Sequence, residues 1–143
     1  MTVHLLDVNV LVALMWPAHA YHDRAQEWFG KYSKSGWATC PLTQSGCVRI
    51  LSNPSFSSDA ATPQQALKIL VANLKHPSHQ FWPDDVSFAE AVEPMQKQMV
   101  GHQQISDAYL LGLTLHRKAK LATMDRGVLA LLAKDKQASV VVL

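Results

Sequence analysis

The chain has 143 residues, a formal net charge of +2 and 48% hydrophobic residues. This is the size of one ordinary domain, large enough to bury a core without staples, so residues 1–143 read as a single domain. The weak charge permits a nucleic-acid partner without arguing for one, and two cysteines, Cys40 and Cys47, argue against a disulfide framework.

The first stretch, LLDVNVLVALMW, is apolar from Leu5 to Trp16 except at Asp7 and Asn9. Val3 to Leu6 reads as a short buried strand, and Val8 to Met15 as a helix, because the apolar run is too long for one strand. Pro17 stops it. The run is also too short to span a membrane and has no basic leader before it, so neither a signal peptide nor a membrane role is expected. A cytoplasmic location follows. An ionised Asp in such surroundings needs a hydrogen bond, an ion pair or a metal.

Ala25, Trp28, Phe29 and Tyr32 recur at helical spacing, and Lys34 to Gly36 mark a turn. WATC is a second short strand. After Pro41 comes the helix LTQSGCVRIL, ended by Asn53-Pro54. Thr62, Pro63 and Gln65 form a capping box with proline at the first helical position, opening a helix through Leu74. QFWPDD holds a strand and a turn. Ser87 and Glu90 cap a helix running through Ala91 and Met95, with a kink expected at Pro94. DAYLLGLTLHRK is apolar nearly all round and reads as a buried helix, whose Gly112 lets another backbone approach. LATM is a strand, GVLALLAK a short helix and SVVVL a terminal strand.

Short apolar strands alternating with helices give an α/β fold with a central, mainly parallel twisted sheet flanked by helices. In such a sheet, ligands bind beyond the carboxyl ends of the strands. Asp7 directly follows the first strand, Asp125 follows LATM, and Asp107 opens the buried helix. All three can point into one crevice. Three acids held ionised together call for a cation, and an all-oxygen donor set suits Mg²⁺ or Mn²⁺. Phosphodiester hydrolysis is the natural reaction. Each acid also has a simpler reading: a cap for the helix after Asp7, with Asn9 joining the network, a dipole acid at Asp107, a turn at Asp125. Their matched placement favours the shared site.

The pairs His19/His22 and His76/His79 have no further ligands at recognised metal spacings and read as structural. Arg117, Lys118 and Lys120 read as a solvated face, while Arg49, on the helix after WATC, could reach a phosphate. Charged residues make up only 17%, below the usual ~25%, so a homodimer or a tight partner is expected.

LLDVNVLVAL, PLTQSGCVRILSNP, QISDAYLLGL and LATMDRGV together resemble the motifs of PIN-domain ribonucleases, most closely the VapC-type toxins of bacterial toxin–antitoxin pairs. H-x-x-H-x-x-A-x-x-W, from His19 to Trp28, also fits that group. The resemblance spans nearly the whole chain. It implies an endoribonuclease that uses Mg²⁺ or Mn²⁺ to cut single-stranded or loop RNA, such as tRNA or rRNA. It also implies a VapB-like antitoxin and a homodimer. By position, Asp7, Asp107 and Asp125 match the family's acids, Asn9 and Thr123 match polar residues near the site, and Thr43 and Arg49 match the second motif.

The second motif departs from the family at one place: Gln44 stands where the resemblance implies a Glu. An amide cannot serve as a carboxylate ligand or base. Two readings follow, an active ribonuclease weakened or silenced at Gln44, and a PIN-like module that binds RNA or antitoxin without cutting. An Asp-nucleophile phosphatase would want a second acid at Asn9, and a receiver domain would want paired acids early in the chain.

Overall fold

A computed structural model describes residues 2–143. Five strands, β1 (His4–Leu6), β2 (Trp37–Thr39), β3 (His79–Phe81), β4 (Lys120–Thr123) and β5 (Val140–Val142), form one sheet in the order β3-β2-β1-β4-β5. All four pairings are parallel. The helices are α1 (Val8–Met15), α2 (His22–Tyr32), α3 (Pro41–Leu51), α4 (Pro63–Leu74), α5 (Phe88–Val92) and α6 (Ile105–His116). No helix is long and apolar enough to cross a membrane among the described residues.

The period-2 alternation of the strands feeds two cores. Leu5 and Leu121 face one side, where α5 and α6 contribute Ala91, Leu111 and Leu113. Leu6 and Ala122 face the other, where Val10 and Leu11 of α1, Cys47 of α3 and Leu70 of α4 pack. Burial of this kind pushes the Cys47 thiol up to about 12, leaving it an inert core group. At Gly112 an added Cβ would lie 2.0 Å from the Ala91 carbonyl oxygen, so only glycine lets α6 approach α5 this closely.

The elements follow the sequence reading with two differences. Pro94 does not kink a continuing helix: α5 ends at Val92, and Glu93–Gln98 continues as 3₁₀ helix. The stretch after β4 is likewise 3₁₀, from Arg126 to Leu131. The Thr62–Gln65 capping box forms as the sequence implies, with the Thr62 hydroxyl accepting from the Gln65 N–H at 3.2 Å.

Chain order places the reversal of the sheet at β1 and β4: β1 leads outward to β2 and β3, and the chain then returns to β4 on the other flank of β1. That is the topological switch point at which open α/β sheets form their crevice.

Candidate active site

Asp7 stands at the crevice as the residue between β1 and α1. It is 6% exposed, and its two carboxylate oxygens are used differently. Oδ1 accepts from the Val8 N–H at 2.8 Å, capping α1, and Oδ2 accepts from the Thr123 hydroxyl at 2.7 Å. Burial raises the Asp7 pKa above the usual carboxylate range, and the Asp125 charge adds to this, while the bonds from Thr123 and Val8 oppose it. The apolar run therefore tolerates Asp7 partly because local donors stabilise its charge.

Thr123 is fully buried at the end of β4 and ties the site together. Besides donating to Asp7, its oxygen accepts from Asn9 Nδ2 at 3.2 Å and from the Asp125 N–H at 3.1 Å. Asn9 Oδ1 accepts from the Met124 N–H at 3.1 Å. The first turn of α1 is thus laced to the end of β4. Asp125 turns outward, accepting from the Gly127 N–H at 2.8 Å in the local turn its sequence suggested. Asp107, in the first turn of α6, has its pKa pushed up to about 6, first by burial and then by the charges of Asp7 and Asp125. All three acids therefore share one electrostatic environment.

Thr43, Gln44 and Arg49 all lie on α3. Thr43 is fully buried, and its hydroxyl accepts from the Cys40 N–H at 3.0 Å and donates to the Cys40 carbonyl at 3.1 Å, starting α3. Gln44 Nε2 donates to the Thr39 hydroxyl at 2.9 Å, and that hydroxyl also bonds His79 Nε2 at 2.7 Å. Gln44 and the exposed Arg49 line a depression between α3 and α4 with Val48 and Leu67. None of the three shares a hydrogen bond with the aspartates.

The histidine pairs hold structure. His22 Nδ1 bonds the Ala13 carbonyl at 2.8 Å, His19 Nδ1 accepts from the Tyr21 N–H, and His76 Nδ1 accepts from Trp37 Nε1. Arg117 pairs with Asp85 at 2.8 Å and stacks over Trp82. The role of Thr123 as hub had no local signal, because its bond to Asp7 joins residues 116 apart.

Among the described residues, no three His, Cys, Asp or Glu side chains are grouped tightly enough to hold an ion by direct ligation alone. The donor chemistry still fits one class of ion. Mg²⁺ keeps several waters and uses one or two carboxylates plus substrate phosphates. Mutually repelling carboxylates around a crevice match that demand better than they match zinc, which wants nitrogen or sulfur ligands.

A family model described as PIN domain matches residues 4–134. Among curated proteins, the chain is 44% identical over 127 residues to Ribonuclease VapC38 of Mycobacterium tuberculosis (strain ATCC 25618 / H37Rv), covering 89% of this chain and 88% of that protein. It is 43% identical over 129 residues to Ribonuclease VapC29 of that organism, covering 90% and 89%. Among solved structures, it resembles Mycobacterium tuberculosis VapC20, titled a Sarcin-Ricin loop cleaving toxin, with a TM-score of 0.59. That match is 14% identical and covers 83% of this chain and 85% of the other, a likeness of fold.

Proposed function

The chain belongs to the PIN-domain family as a VapC-type endoribonuclease toxin, and from that premise we propose that Asp7, Asp107 and Asp125 form its hydrolytic centre and hold Mg²⁺ or Mn²⁺. The observation that carries the reading is the placement of Asp7 and Asp125 just beyond the carboxyl ends of β1 and β4 at the switch point of the sheet, with burial and the charges of both raising the Asp107 pKa. A metal bound there would polarise a phosphoryl oxygen and lower the pKa of bound water.

The chain's own residues do the rest. Thr123 and the Val8 N–H fix both oxygens of Asp7, so the carboxylate is held in place before substrate arrives. Asn9 and Thr123 join α1 to β4, keeping Asp7 and Asp125 at a constant separation. Burial and the charges of Asp7 and Asp125 raise the Asp107 pKa in the metal-free chain, and a divalent cation held there would ionise it and complete the donor set. We retain hydrolysis over RNA or antitoxin binding alone, because a pure binding site gains nothing from three repelling carboxylates.

An RNA substrate and a cognate VapB-type antitoxin follow from the family. Single-stranded or loop RNA, the homodimer and the cytoplasm are part of the same proposal; 17% charged residues and exposed apolar residues such as Leu67 and Val71 support a covered surface.

The test is incubation of the purified chain with total cellular RNA in Mg²⁺, Mn²⁺ or chelator, followed by 5′-end mapping. Discrete metal-dependent ends are expected. Asp7→Asn keeps an oxygen to accept from Val8 or Thr123, so it should fold and not cut. Cleavage by Asp7→Asn at the parent rate would refute the assignment.

A further inference from the structure

One face of α2 takes no part in the site. Arg24, Trp28, Lys31 and Tyr32 sit at i, i+4, i+7 and i+8, a single stripe on the helix. The Trp28 and Tyr32 rings are 5.5 Å apart, and Tyr32 is 48% exposed. A depression of about 270 Å³ lies along Arg24, Lys31 and Leu143, and another of about 360 Å³ lies along His4 and Lys120. Trp28 and Tyr32 line both, so the two depressions adjoin along this stripe, a track of two parts.

The ends of the track are fixed by the sheet. At one end the Leu143 N–H donates to the Thr123 carbonyl at 2.9 Å, and Thr123 is the residue that bonds Asp7. At the other, His4 and Lys120 are register partners at the amino ends of β1 and β4. One end of the track therefore lies at the carboxyl edge of the sheet, where Thr123 ends β4, and the other at the amino edge. Its floor holds an incomplete polar group: His4 is 6% exposed, meets Trp28 edge-on at 5.0 Å, and its Nδ1 has no hydrogen-bond partner among the described residues.

We propose that this face of α2 is a track for single-stranded RNA, holding the part of the substrate that extends beyond the cleavage point. The inference rests on the ribonuclease reading above. Aromatic rings supply stacking platforms for any base, and interleaved cations follow the phosphates. Arg24 already lies over the Tyr21 ring at 4.8 Å, the geometry in which a guanidinium stacks on a π-face. The acid on the stripe, Glu27, is paired with Lys31 at 3.4 Å, and Asp23 flanks the helix start; Arg24, Lys31 and Lys120 outnumber them. A ring pair flanked by cations suits a polyanion better than a protein helix, which would want a continuous apolar strip.

The experiment uses the full chain in chelator, so that nothing is cut, with fluorescein-labelled oligouridylates of two lengths, about 6 and about 20 nucleotides, read by anisotropy. The longer probe should bind at least about tenfold more tightly. The triple variant R24E/K31E/K120E should lose at least about tenfold on the longer probe, with its salt slope reduced by roughly two, the value for three phosphate contacts on a single strand. Tyr32→Ala removes a half-exposed ring and should lose about fivefold or more with the slope unchanged. With metal restored, the triple variant should raise KM for long RNA more than it lowers kcat. Unchanged affinity and slope in both variants, with cleavage intact, would overturn the track and leave the ribonuclease reading standing. Normal RNA binding with lost capture of a protein partner would reassign the face and overturn it too. Absence of cleavage by the parent chain in every metal would instead refute the reading on which the inference rests.

Discussion

The Thr123 hydroxyl donates its one proton to Asp7 Oδ2 at 2.7 Å while its oxygen accepts from Asn9 and from the Asp125 backbone. One buried side chain thereby orients an acid, braces α1 and sets the turn that carries a second acid. Thr123→Val keeps the shape and removes all three bonds. Two donors and one carboxylate oxygen then lose their partner in a buried setting, at a cost of about 1–3 kcal/mol. The Thr123 bond also lowers the Asp7 pKa, so its loss lets that pKa climb. The acid limb of the cleavage rate should move to higher pH. Chemical denaturation and a pH–rate profile check both effects; an unmoved profile would show that Thr123 is only structural.

Asp107 gives a stability effect of opposite sign. Its folded pKa is raised from 3.8 to about 6, so the folded chain holds the proton more tightly than the unfolded chain. The stability linked to this group is fully present below about pH 4 and is lost as pH rises through about 6. Above that, the folded state carries a repelled charge. Asp107→Asn should therefore stabilise the metal-free protein at pH 7 by about 1 kcal/mol, after discounting for the group's partial exposure to solvent. At pH 4 the gain should vanish. Mg²⁺ should raise the melting temperature of the parent more than that of the variant. Equal melting temperatures for the two at pH 7 in chelator would contradict the coupling.

Gln44 makes a bond that a carboxylate cannot make. Its amide donates to Thr39, whose oxygen also bonds His79 Nε2. A Glu can only accept, so in Gln44→Glu the Thr39 hydroxyl must turn and donate to it. His79 Nε2 must then donate to Thr39, an arrangement that favours the doubly protonated ring, as the Leu74 backbone already does. The His79 pKa, now lowered by burial and by His76, should rise, readable by NMR titration. If the new carboxylate keeps Thr39 as its partner, Mg²⁺ affinity should change by less than about tenfold, or about 1.4 kcal/mol. A larger gain in affinity with His79 unmoved would mean that the new carboxylate swings into the acidic crevice, as the family motif implies.

The sequence by itself determined the architecture, because hydrophobic period, caps and breakers act within a few residues. Val8–Met15 had to be helix once its apolar run outlasted a strand, the Thr62 box announced α4, and Gly112 marked the close approach to Ala91. It also identified Asp7 as an anomaly, since a carboxylate among apolar neighbours is costly wherever it folds. The tertiary structure decided which groups meet. Thr123 reaches Asp7 across 116 residues only because β4 pairs with β1 at the switch point, a long-range choice with no local signature. Gln44 was placed on the right helix by its position, but its rotamer was set by Thr39 and His79 on neighbouring strands. Asp107 became a group that titrates near neutral pH through burial and two distant charges. Local propensity fixes backbones, whereas side-chain direction and pKa are fixed by whatever the packed fold brings alongside.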